Sequence, residues 1–98
     1  MSFIQVIEFD TAKEQDVQRL MDEWRDSTGG ERTVTHTTLT RDHTRPDHYV
    51  AIVEFPSYED AMRNSGMPQT DKLAHHMREL CDKPPRYMDL DVIRDEDL

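Results

Sequence analysis

His48-Tyr49-Val50-Ala51-Ile52-Val53-Glu54-Phe55, followed at once by Pro56-Ser57-Tyr58-Glu59-Asp60-Ala61-Met62, is the stretch whose reading decides the fold. The first eight residues are rich in β-branched and aromatic types and read as a strand. Pro56-Ser57 stops it, and Ser57 with Asp60 suits the N-terminal cap of a helix. Along the strand, Tyr49, Val53 and Phe55 oppose Val50 and Ile52, so both faces are apolar. A strand with one wet face would alternate apolar and polar residues instead. Residues 3–9 repeat the pattern, with Phe3, Ile7 and Phe9 opposing Ile4 and Val6. Two such strands belong at the centre of a sheet whose two faces are both covered.

Working outward, Thr11-Ala12-Lys13-Glu14 has the spacing of a capping box. Val17, Leu20, Met21 and Trp24 then form one apolar helical stripe, and Gly29-Gly30 offers a left-handed terminator. Residues 33–41 read as a polar, threonine-rich strand, and 42–47, with Pro46, as a turn. Tyr58, Ala61, Met62 and Ser65 share a face of a short helix that Gly66 and Pro68 interrupt. Leu73, Met77, Leu80 and Cys81, with Ala74 beside them, mark a further helix that ends before Pro84-Pro85. Residues 86–93 alternate as a last strand, and 94–98 form an acidic tail. The order βαββαβ predicts one α+β, ferredoxin-like domain over residues 1–98. Its four-stranded antiparallel sheet has strands one and three in the centre and helices on one face. The second apolar face then requires a partner, and an identical subunit is the simplest one.

Composition limits function. The 98 residues carry 12 basic and 21 acidic side chains, a net charge of −9, which argues against nucleic acid as a partner. No apolar run reaches the roughly 20 residues of a membrane helix. Ser2-Phe3-Ile4-Gln5 carries neither the basic segment nor the apolar core of an export signal. The lone Cys81 cannot form an internal disulfide, so a reducing, cytoplasmic setting is the default expectation. No GxGxxG, P-loop, CxxC or HExxH pattern is present.

With its two-sided apolar sheet and the stretch from His48 to Met62, the chain resembles the dimeric α/β-barrel superfamily, and within it the antibiotic biosynthesis monooxygenase-like branch. The resemblance covers nearly the whole chain. It implies a homodimer whose sheets pack face to face into a barrel, with a ligand pocket between the helices and the sheet of each subunit. The activity it implies is a small cofactor-independent monooxygenation of an aromatic or polyphenolic substrate, with no cofactor and no metal. It leaves two alternatives open: a non-catalytic ligand-binding or stress-response barrel protein, and a haem-binding or haem-degrading relative. Haem-degrading members use a histidine on the last helix, which Thr70-Asp71-Lys72-Leu73-Ala74-His75-His76 matches loosely. Their tryptophan on the preceding short helix, and the histidine that many monooxygenase-like members carry there, are absent from Ala61-Met62-Arg63-Asn64.

Candidate site residues follow. His36 is the candidate base, because an imidazole titrates where a phenol proton must be accepted. Trp24 and Tyr49 are candidate pocket walls for an aromatic substrate. His75 and His76 are candidate ligand contacts and point about 100° apart on their helix. Asp42, His43, Asp47 and His48 gather at a turn without the fixed spacing of a metal site, and no metal is expected there. Glu8 and Glu54 interrupt the Ile4/Val6 and Val50/Ile52 faces, where a carboxylate needs a partner or water.

Overall fold

A computed structural model describes residues 2–98. The elements are β1 (Phe3–Asp10), α1 (Glu14–Ser27), β2 (His36–Arg41), β3 (His48–Phe55), α2 (Tyr58–Ser65), α3 (Pro68–Leu80) and β4 (Arg86–Asp91). The sheet is antiparallel with order β2-β3-β1-β4, so the two doubly apolar strands are central as expected. This is the ferredoxin-like α+β arrangement, with the second helical crossover divided into α2 and α3.

Register assigns the two faces. Phe3, Gln5, Ile7 and Phe9 share the helix-covered face with Tyr49, Ala51, Val53 and Phe55. Two small cores form there. Phe9, Val17, Tyr49, Ala51 and Met77 make one, and Phe3, Phe55 and Ala61 make the other. The opposite face presents Ile4, Val6, Val50, Ile52, Met88 and Leu90, with Thr38 and Thr40 on the edge strand, and among the described residues no helix or strand lies over it.

Local expectations differ from the structure in four places. Thr11 does not cap α1, and Lys13 stands at the cap with no side-chain hydrogen bond. The Thr11 hydroxyl instead donates to Leu80 O (2.6 Å) and accepts from Lys13 N (3.0 Å). It thereby ties the end of β1 to the end of α3, a tertiary demand that outweighs a local cap. Glu14, freed from the cap, pairs with Arg41 at 2.8 Å. At the other end of α1, no described residue has positive φ. Thr28 closes the helix, its N–H and hydroxyl both donating to Trp24 O at 3.0 and 2.7 Å. β2 starts at His36 rather than 33, because the Thr33 hydroxyl turns to Asp60 O (2.6 Å). β4 stops at Asp91 rather than 93, and residues 92–98 carry no helix or strand. Ser57 does cap α2, its Oγ accepting from Asp60 N at 3.1 Å.

Candidate functional site

The two cores do not meet. Between them, under α1 and α3, the helix-covered sheet face carries Gln5, Thr35 and Thr37, residues too polar to fill the layer. A cavity of about 500 Å³ results, within the size of small-molecule sites. Ile7, Phe9, Leu39 and Val53 floor it, and Met21, Trp24, Leu73, Ala74 and Met77 wall it from the helices.

Most of the lining surface is apolar. Asn64, on the inner face of α2, is only 7% exposed, and its Oδ1 accepts no hydrogen bond from the protein. A buried carbonyl without a donor costs free energy unless something else donates to it. Trp24 Nε1 donates to Thr70 Oγ1 (2.9 Å), which fixes the indole plane against α3. The Arg32 guanidinium lies over that indole, 5.9 Å from its centre, and Nη1 donates to Arg25 O at 2.8 Å. Tyr87, 48% exposed, borders the cavity from β4, and partial burial pushes its phenol up from the ordinary value.

The other candidates lie as follows. His36 borders the cavity mouth, but it pairs in register with Glu54. Its ring stands on the uncovered sheet face, 66% exposed, with Nε2 4.0 Å from Glu54 Oε2. Tyr49 stacks on Phe9 (centroids 5.5 Å apart) in the core, beside the cavity rather than on its surface, with Arg41 over its other side. His75 is 72% exposed and lies 3.4 Å from Glu79. His76 borders a separate shallow groove with Trp24, Gln69 and Lys72. The structure therefore brings Trp24 alone of these five fully onto the cavity wall.

Asn64, Arg32 and Gln5 escaped the sequence reading. Asn64 had a signal, since it lies three residues after buried Ala61 and so on the same helix face. Gln5 had one too, as the polar break in the Phe3/Ile7/Phe9 set. Arg32 had none, because its place depends on how the irregular segment after α1 returns to β2.

At the far end of the sheet, Glu8, Asp10 and His48 meet on the uncovered face. His48 Nδ1 lies 2.8 Å from Asp10 Oδ1, and Nε2 lies 3.6 Å from Glu8 Oε2. Lys83 and Arg45 stand 3.7 and 3.6 Å from Asp10. Asp42 Oδ1 accepts instead from Thr44 N and Oγ1, so the acidic turn residues and His48 serve separate contacts. The hydrogen bond from His48 holds the Asp10 carboxyl below its usual value, against its own partial desolvation, with the nearby positive charges adding to the effect. The folded-state value is thus below the unfolded one, so this contribution to stability is full above the unfolded carboxylate range. It is lost as pH falls through the folded value. We expect the urea midpoint to drop from about pH 4 downward, and Asp10→Asn to flatten that drop. Equal acid slopes for the two proteins would contradict the assignment.

The layering, the strand order β2-β3-β1-β4 and a cavity between helices and sheet define a class by its fold: a ferredoxin-like α+β domain. Solved structures agree. The fold matches SnoaB, a cofactor-independent oxygenase from Streptomyces nogalater, in its asparagine-to-alanine variant, with a TM-score of 0.81 at 15% identity over 96% of this chain and 95% of that one. It matches Rv0793 from Mycobacterium tuberculosis with a TM-score of 0.80 at 14% identity, over 99% and 100% of the two chains. It also matches an antibiotic biosynthesis monooxygenase with a TM-score of 0.73 at 19% identity, over 96% and 100%. No family model and no curated protein matches by sequence. Among the described residues, no helix is long and apolar enough to cross a membrane.

Proposed function

We propose that the chain is a homodimeric monooxygenase that oxidises a polycyclic phenol in the cavity between α1, α3 and the sheet, without a cofactor. The observation that carries this reading is the apolar cavity of about 500 Å³ with one buried, unpartnered amide, Asn64, on its wall. The fold shared with an oxygenase described as cofactor-independent supports it.

The chemistry suits such a site. A phenol whose keto tautomer has a ring methylene becomes, on losing a proton, an anion able to give one electron to O₂. Recombination at the carbon forms a C–O bond and a hydroperoxide. Loss of water then leaves a ketone, so R₂CH₂ + O₂ gives R₂C=O + H₂O. One oxygen atom enters the product, and the other leaves with both hydrogens. The protein's part is to hold the flat substrate between Trp24, Leu73 and Met77 and to stabilise negative charge in a dry site. Asn64 supplies N–H donors for the anion, and Tyr87 supplies a further O–H donor. The ring of His36 turns to Glu54, so the phenolic proton leaves to solvent at the mouth rather than to a base inside.

Dimerisation belongs to the same reading. The uncovered sheet face, with Ile4, Val6, Val50, Ile52 and Met88 in one apolar field, meets its own copy.

The test is oxygen uptake by metal-stripped protein against a panel of polycyclic phenols, with heat-denatured protein as the blank. Uptake above the blank supports the proposal. A folded protein that shows none, across a panel it binds, rejects it. One observation favours a second reading, a binding protein without turnover: Asp22, the carboxylate beside the cavity, is already paired with Arg25 at 3.4 Å, and no positioned base faces inward. A small molecule that co-purifies and is recovered chemically unchanged would decide for that reading.

A further inference from the structure

We infer that the cavity selects aromatic molecules carrying a carboxylate, and that Arg32 is the group that selects them. This rests on the reading of the cavity as a site for an aromatic substrate.

Two cations border the cavity, Arg25 and Arg32. Arg25 is spent on acidic neighbours, 3.4 Å from Asp22 and 3.2 Å from Asp26. Arg32 has no carboxylate within ion-pair distance among the described residues, although acidic side chains outnumber basic ones 21 to 12 in the chain. It is nevertheless held in place. One Nη1–H goes to Arg25 O at 2.8 Å, the guanidinium lies over the Trp24 ring, and its remaining N–H donors have no protein acceptor beyond a long 3.5 Å contact with Thr28 Oγ1. A half-buried, positioned fork with free donors suits a planar carboxylate, which it can meet through two parallel hydrogen bonds.

A second observation places a polar partner at the same end. The Thr33 hydroxyl, next in sequence to Arg32, donates to Asp60 O, one helical turn before Asn64. The segment carrying Arg32 is thereby anchored to the helix carrying Asn64, and Thr70 anchors Trp24 beside them. Arg32, Trp24 and Asn64 thus offer a cation, a flat wall and a side-chain amide to one molecule. A ring bearing a carboxylate and a hydroxyl answers all of them. The net charge of −9 does not forbid an anion here, because distant surface charges are screened beyond about 8 Å at physiological salt while a direct guanidinium contact is not.

The experiment is isothermal titration with 3-hydroxy-2-naphthoate and with 2-naphthol, which share the ring and hydroxyl and differ in the carboxylate. The wild type is expected to favour the naphthoate about tenfold. Arg32→Met should abolish that preference, read as the ratio of the two affinities, and Arg32→Lys should keep part of it. Should Arg32→Met fail to fold in a thermal melt, Arg32→Gln decides in its place, since it keeps an N–H donor for Arg25 O without the charge. Equal binding of the two probes by the wild type, or a preference that survives removal of the charge at Arg32, overturns the inference and leaves the oxygenase reading standing. Failure of both probes to bind overturns the inference together with the aromatic site beneath it. Naphthoate selectivity without oxygen uptake by any phenol upholds the inference and rejects only the oxygenase reading.

Discussion

Asn64→Ala is expected to lower the rate of oxygen uptake by about 10²-fold while leaving the folded state as stable as before. The rate effect is that of removing one positioned donor from a site that stabilises developing negative charge. The unchanged stability follows from the structure. Asn64 is 7% exposed, yet its Oδ1 has no protein donor, so truncation breaks no hydrogen bond at that atom. Relief of an unsatisfied polar group offsets the packing lost with the side chain, each being about 1–2 kcal/mol. Most buried asparagines behave oppositely, since they are kept by the hydrogen bonds they make. Urea titration and oxygen uptake on the same preparation test both halves. A variant that is destabilised in proportion to its lost activity would show Asn64 to be structural only.

If the proposed dimer forms through the uncovered sheet face, Ile52→Lys is expected to convert it to a folded monomer. Ile52 pairs with Val6 and Thr38 in register, at the middle of the uncovered sheet face. In the monomer a lysine there is solvated. Across a sheet-to-sheet interface it is buried without a counter-charge, which costs about 4 kcal/mol or roughly 10³-fold in the association constant. The acidic groups at the ends of that face do not rescue it, because Glu8 is turned to His48 and Arg86, and Glu54 to His36. Sedimentation velocity at micromolar protein distinguishes the outcomes. A wild type that sediments as a monomer, or a variant that remains dimeric, rejects the proposed interface.

The fold was legible because its decisive residues are redundant. Val50 and Ile52 set against Tyr49, Val53 and Phe55 force a central strand whatever the neighbouring turns do, and Ser57 marks the start of α2 through a purely local hydrogen bond. The misread points are those where a distant group outbids a local one. Thr11 is drawn to Leu80 O, Thr33 to Asp60 O, and Thr28 does the work expected of Gly29. The site was legible only in Trp24, whose place on the α1 stripe leads directly onto the cavity. Histidines attract attention in a sequence because of their chemistry, but strand parity decides where they point. His36 falls on the same parity as Glu54 and Ile52, and therefore on the face away from the cavity. Among the polar groups that border the cavity are a neutral amide and an arginine on an irregular segment, and neither residue type singles itself out without the fold.

The most direct test of the central claim is the fate of molecular oxygen. Metal-stripped protein is incubated under ¹⁸O₂ with a polycyclic phenol that it binds, in the presence of a chelator, and the product is weighed by mass spectrometry. A cofactor-free monooxygenase leaves one labelled oxygen atom in each ketone product and the other in labelled water, at a rate that falls in Asn64→Ala. Product that is unlabelled, or labelled product that forms equally fast without the protein, would contradict that reading.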